Sequence, residues 1–368
     1  MGVNMVFYLV NIFILMSYGF FLKLYAMSKY GNKRRADKIF IIMSCIHLGI
    51  IMALRDISVG TDTQLYNDLF EQISYSEEIF SVIKSAPLYV IYNKAVSLLF
   101  NNTQWIIVFN SLIITTGIGL FIYRNSPNVV MSIYYYISLY FYFTSFNTSR
   151  QFIAVVLIAN SYYYLKNNNI KKFLMLLIAA TAVHNTAIVA LILWPLRKIK
   201  WSNLKICLFA LITTIAMFLY EKILNIFLIL FPRYVMYLGG GRFSLLDESQ
   251  GRKIFVSILY LLIVVLCMIF LRYKKKKDFE PRNELYFLTS ILTIAVTIGI
   301  VFYNNLLISR IEIYFSLFII IYIPLIINNI GKSKLMLYYG LMIITAIPML
   351  VQLRNNISNV VPYKIFLN

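Results

Sequence analysis

Charge, histidine and cysteine are all scarce in this chain. Only 13% of its 368 residues are charged, against about a quarter in a soluble domain of ordinary composition. Two histidines leave little room for a metal site. The three cysteines, Cys45, Cys207 and Cys267, all lie inside apolar runs, which excludes a disulfide framework and a cysteine-based zinc site. Small packed hydrophobes is their reading. No Gly-rich phosphate loop and no serine nucleophile elbow occurs. Neither a cofactor nor a metal is expected. These absences rule out a soluble enzyme and a disordered chain. Nucleic acid is no partner either, although the net charge is +20.

What fills the sequence is apolar: 61% of residues are hydrophobic. A bilayer core about 30 Å thick needs roughly 20 apolar residues per helix. Runs of that kind lie near 5–27, 38–54, 104–123, 128–146, 150–165, 203–222, 254–272, 285–304, 307–328 and 335–351. The fold class expected is therefore all-α: a polytopic transmembrane helix bundle of about ten full crossings, with residues 1–368 as a single integral membrane domain. The first run carries no Lys or Arg at its start, so it reads as a helix that stays rather than a cleaved signal.

The basic residues have a sided distribution. One set of short loops holds 21 Lys and Arg against four acidic residues; the opposite loops and the C-terminal tail hold 12 against 10. Such a bias marks the cytoplasmic face. It places the long loops 55–86 and 223–252 outside, along with both termini. Two ambiguous stretches then follow from parity. Residues 87–100 begin and end outside, so they form a surface or re-entrant helix. Residues 173–196 begin and end inside, so they form a re-entrant hairpin, broken at His184-Asn185-Thr186. Non-helical backbone at that depth needs protein or water around it, and a polar cavity beside His184 is expected.

Polar residues gather at the outer ends of helices. Arg55 ends the second run, Asp62 lies in Gly60-Thr61-Asp62, and Arg150-Gln151 starts a helix. Arg233-Tyr234 and Arg242 sit in the second long loop, and Arg310 starts the ninth crossing. A terminal arginine ordinarily snorkels to lipid headgroups. Here they stand beside polar neighbours, and a guanidinium fork suits phosphate oxygens. Asp62 reads as a turn or helix-cap residue or as a general base. His184 reads as a satisfied core histidine or as a catalytic group. The many tyrosines, including Tyr134-Tyr135-Tyr136 and Tyr162-Tyr163-Tyr164, are expected in interfacial aromatic belts.

The motifs in order resemble a known family. Arg55-Asp56-Ile57-Ser58-Val59-Gly60-Thr61-Asp62 with Tyr66, then Pro87-Leu88-Tyr89, then Ser145-Phe146-Asn147-Thr148-Ser149-Arg150-Gln151, then His184-Asn185-Thr186-Ala187 are similar to landmarks of the EpsG-like family of Wzy-type polymerases. Arg233-Tyr234 with Tyr237, and Arg310 with Tyr314, match weaker ones. One departure is Ala86, where the family often has an acid before the Pro-Leu-aromatic step. The resemblance implies a glycosyltransferase of the bacterial plasma (inner) membrane with its site facing out. It would transfer a growing glycan from undecaprenyl pyrophosphate to another lipid-linked repeat unit, in exopolysaccharide or O-antigen synthesis. Asp62 and His184 would be catalytic; Arg55, Arg150, Gln151, Arg233, Tyr234 and Arg310 would bind substrate. The implied partners are the lipid-linked oligosaccharide, membrane lipid and a chain-length regulator. Flippase, glycan ligase and membrane acyltransferase are the competing readings; a flippase should show paired inverted repeats, and only 173–196 is interrupted.

Overall fold

A computed structural model describes residues 2–230, 232, 250–273, 282–303, 306–330 and 334–366. Among these residues the chain is all helical, and its one isolated β-bridge joins Arg55 to Ile365. Two compact units divide it: Met1–Ile188 with Ile323–Asn368, and Val189–Tyr322.

The first unit opens with α1 (Gly2–Met27) and α2 (Lys33–Ala53). Then come α3 (Thr63–Tyr75), α4 (Ile79–Val82) and α5 (Pro87–Ser97). After α6 (Gln104–Asn125) the chain breaks into α7 (Val129–Ser138) and α8 (Phe141–Asn147), bent by 54° at Tyr140, which has φ 73°. Helices α9 (Ser149–Lys166) and α10 (Ile170–Val183) follow as an antiparallel pair joined by a three-residue turn, Asn167–Asn169. Asparagines start several of these helices: Asn32, Asn128 and Asn169 each accept the backbone N–H three residues on.

Helix α6 is the centre of this unit. It packs against α2 on one side and α9 on the other. Close approach is the reason for its glycines. A Cβ on Gly119 would overlap the Cys45 sulfur of α2, and one on Gly117 would overlap Val156 of α9. Backbones that approach so closely expose carbonyls to neighbours, and Asn160 Nδ2 donates to the Gly117 carbonyl at 2.9 Å. Small residues at helix contacts are the usual means of tight packing in a bilayer, where no hydrophobic force separates lipid from protein.

A 3₁₀ helix, Asn185–Ile192, carries the chain from the first unit into the second, which continues with α11 (Leu193–Leu196) and α12 (Asn203–Phe218). Helix α13 (Tyr220–Leu230) bends 79° away from α12. Helices α14 (Gln250–Tyr273) and α15 (Arg282–Val301) pack together, and α16 (Leu306–Ser316) packs on α15. The chain then runs through α17 (Ile319–Asn329) to α18 (Lys334–Arg354), which packs on α7.

Among the described residues, six helices are long and apolar enough to cross a membrane: Met5–Met27, Lys33–Ala53, Gln104–Asn125, Arg282–Val301, Arg310–Asn329 and Leu335–Arg354. Counting each bent pair, α7–α8 and α12–α13, as one span brings the number to eight. The expectation of about ten included two more apolar runs, and both are helices. Helix α9 carries Ser149, Arg150, Gln151, Asn160 and a tyrosine run, which dilute its apolar character. Phe255–Leu271, within α14, is short for a full crossing.

Three features differ from the sequence reading. The loop 55–86 contains α3, whose Tyr66, Phe70 and Ile73 recur at helical spacing and are buried. The tyrosines at 134–136 are core residues rather than interface anchors. The bend at Tyr140 turns α7 and α8 inward, so their rings pack on one another, and Tyr142 satisfies its hydroxyl on the Leu48 carbonyl at 2.9 Å. Third, the C-terminal residues 355–366 are folded onto the end of α2 and onto α1. Asp56 N–H donates to Lys364 O, Phe366 N–H to Leu54 O, and the Tyr8 hydroxyl to Val360 O at 2.7 Å.

Candidate functional site

Arg55 follows directly on α2 and is only 1% exposed. Its guanidinium donates to the Met52 carbonyl and, at 3.2 Å, to the Phe146 carbonyl, while lying 4.8 Å from the Phe146 ring centre. Carbonyl dipoles and a ring face replace part of the water that burial removes, while the buried Nε has no hydrogen-bond partner. Burial pushes the group down to about 10, so it keeps its charge at neutral pH. These contacts clamp the end of α2 to the end of α8.

From Arg55 the chain turns sharply. Asp56 Oδ1 accepts Ser58 N–H at 2.9 Å, and the Ser58 hydrogen bonds hold its carboxyl below the usual range. Gly60 has φ 104°, and a Cβ there would meet the Thr63 hydroxyl and Asn147 Oδ1. Both conditions demand glycine. Thr61 N–H donates to Asn147 Oδ1 at 2.9 Å, and the Thr61 hydroxyl donates to Asp62 Oδ1 at 3.1 Å. Asp62 stands in the cap position of α3, yet its side chain makes no capping hydrogen bond. It is 7% exposed. The carboxylate thus does not serve as the side-chain cap of α3.

One turn beyond Asp62, on the same face of α3, stands Tyr66. Its hydroxyl accepts the Arg150 backbone N–H at 3.4 Å, and the Arg150 guanidinium lies 5.7 Å from the Tyr89 ring centre. Burial pushes the Tyr66 hydroxyl up, and the nearby Asp62 charge adds to the effect; burial raises Tyr89 likewise. Both phenols therefore stay protonated at neutral pH. Three helices contribute to this group: α3 brings Asp62 and Tyr66, α5 brings Tyr89, and α9 brings Arg150. A carboxylate able to accept a proton thus faces the same neighbourhood as a guanidinium able to hold an anion.

A family model now matches residues 38–365, described as the EpsG family. The chain belongs to the EpsG family. No curated protein and no solved structure matches it. The match runs from within α2 into the C-terminal segment that pairs with Arg55, so it spans every part of this group.

The remaining candidates of this EpsG-family protein are distributed differently. Gln151 is buried beside Arg150 inside the start of α9. His184 ends α10 with an extended backbone, φ −148° and ψ 110°, so the break expected there is present. Its Nδ1 lies 2.8 Å from the Thr186 hydroxyl. Because α9 and α10 are antiparallel, His184 and Arg150 lie at the same end of that pair. Arg310 lies on α16 in the second unit. Arg233, Tyr234 and Arg242 lie outside the described residues. Tyr66 and Tyr89 were quoted for the family resemblance but given no role; the signal for Tyr66 was its spacing of four from Asp62. Glu312 carries no motif signal in the sequence. It is an acid inside the apolar span Arg310–Asn329, and its carboxylate lies close to Gly299.

Proposed function

We propose that this protein polymerises lipid-linked oligosaccharide repeat units at the outer face of the bacterial plasma membrane. The growing glycan is transferred from undecaprenyl pyrophosphate to a hydroxyl of another lipid-linked unit. The observation that supports it most is the placement of Asp62 and Arg150 around Tyr66. Asp62 takes the proton of the acceptor hydroxyl as its oxygen bonds to the anomeric carbon. The bond from that carbon to the pyrophosphate oxygen breaks, and the electron pair leaves with undecaprenyl pyrophosphate. Arg150 holds the charge that develops there, and Arg310 and Arg233 keep the substrate-binding roles that the family resemblance implies. His184, at the same end of α10, is the second titratable group for proton traffic.

The wider arrangement belongs to the same proposal. All ten apolar helical runs cross the membrane, 173–196 enters and returns, and 87–100 stays at the outer face. The basic loops lie in the cytoplasm. A chain-length regulator is the protein partner such a reaction would have.

The test is a strain deleted for this gene. Surface glycan carrying single repeat units, with normal lipid-linked units, is the expected phenotype. Complete loss of surface glycan would overturn the polymerase reading in favour of a flippase or ligase. Purified protein in vesicles should convert lipid-linked units into longer chains without added nucleotide or metal.

A further inference from the structure

Asn147 is buried at the junction of α8 and α9, three residues before Arg150. Both ends of its amide are used, and by different segments. Its Oδ1 accepts Thr61 N–H at 2.9 Å, and its Nδ2 donates to the Ser358 carbonyl at 3.0 Å. Thr61 passes the constraint onward through its hydroxyl, which donates to the Asp62 carboxylate. The C-terminal segment holds the same loop from a second direction. Gly60 N–H donates to the Asn359 carbonyl at 2.8 Å, and Asn359 Nδ2 donates to the Ser58 carbonyl at 3.1 Å.

The loop bearing Asp62 is therefore tied to the helix start bearing Arg150 through one side chain. Apolar packing could not supply this tie, because two polar groups on separate segments set its geometry. Shortening the amide frees Thr61, and Asp62 with it. A misplacement of about 1 Å at a reacting group can lower rate by about 10²-fold.

We propose that Asn147 is a positioning residue for Asp62, setting the carboxylate's place relative to Arg150, with the C-terminal segment as its second anchor. This rests on the polymerase reading of the site. The test uses the full-length protein in vesicles and lipid-linked repeat units extracted from the deletion strain. Asn147→Ala should lower turnover by about 10–100-fold with KM nearly unchanged. Amide exchange at residues 60–62 should accelerate while that of α9 stays as in the wild type. In an Asp62→Asn background the same change should add little, because residues in one network do not act additively. Asn359→Gly, which keeps the left-handed backbone at that position (φ 49°) but removes the donor to Ser58, should give a smaller loss of the same kind. It is the variant to read should Asn147→Ala fail to accumulate.

Faster exchange at 60–62 with normal turnover would overturn the proposal. So would losses that multiply in the double variant, since Asn147 would then act independently of Asp62. Absence of polymer from the wild-type protein, with the exchange result intact, would overturn the polymerase reading instead and leave the tie as a structural one.

Discussion

A carboxylate just before a helix ordinarily turns back to accept an N–H of the first turn; Asp62 does not. The distinction gives a clean expectation for Asp62→Asn. Since no cap is lost, protein level and thermal stability should match the wild type. Polymer formation should fall by about 10²–10⁴-fold, the usual worth of a general base, measured as chain length and turnover in vesicles. Two arginines should separate in the same way. Arg55 uses its fork on the Met52 and Phe146 carbonyls, and lysine cannot reach both. Arg55→Lys should therefore destabilise the fold by about 1–3 kcal/mol, seen as a lower melting temperature in detergent. Arg150→Lys and Arg310→Lys should melt normally and lose turnover. A normal polymer from both would return these arginines to headgroup anchoring.

Helices α2 and α10 start against their own dipoles. Lys33, Arg34 and Arg35 lie in the first turn of α2, and Lys171 and Lys172 in that of α10, where positive charge is unfavourable by a few tenths of a kcal/mol to about 1 kcal/mol each. Asparagine caps offset part of that cost. Charges kept there despite the dipole point to a role at the bilayer surface, in keeping with the positive-inside pattern. The contact of α6 with α9 depends on Gly117, because Val156 occupies the space its Cβ would need. Gly117→Val should cost about 1–3 kcal/mol through overpacking and loosen the start of α9 with it. Thermal unfolding in detergent checks the first effect; loss of turnover beyond the stability loss checks the second.

At the scale of the whole molecule, sidedness is testable without knowing the reaction. Ser58 and Asn359 are joined by a hydrogen bond, so they must lie on one side of any membrane. Cysteines placed singly at 58 and 359 should label together with an impermeant reagent in intact cells. Cysteines at 168 and 200 should stay protected. Labelling of 200 from outside would overturn the re-entrant reading of 173–196 and, with it, the polar cavity expected beside His184.

The helical class and the membrane environment were legible from sequence, since runs of apolar residues with charge confined to their ends carry that information locally. The break at His184 was legible for the same reason: a polar triplet interrupts an apolar run. The order of motifs around Arg55, Asp62, Arg150 and His184 pointed to the family that the model match shows. Several things could only be decided in three dimensions. Whether an arginine reaches outward or inward depends on which carbonyls stand near it, and Arg55 found those of Met52 and Phe146. Whether tyrosines line an interface or a core depends on a bend at Tyr140 that no periodicity announces. Asn147 was quoted only as part of a motif, because its partners, Thr61 and Ser358, lie 86 and 211 residues away. Hydropathy is a property of neighbours in sequence. A side chain whose two hydrogen bonds tie three distant segments is a property of the folded chain alone.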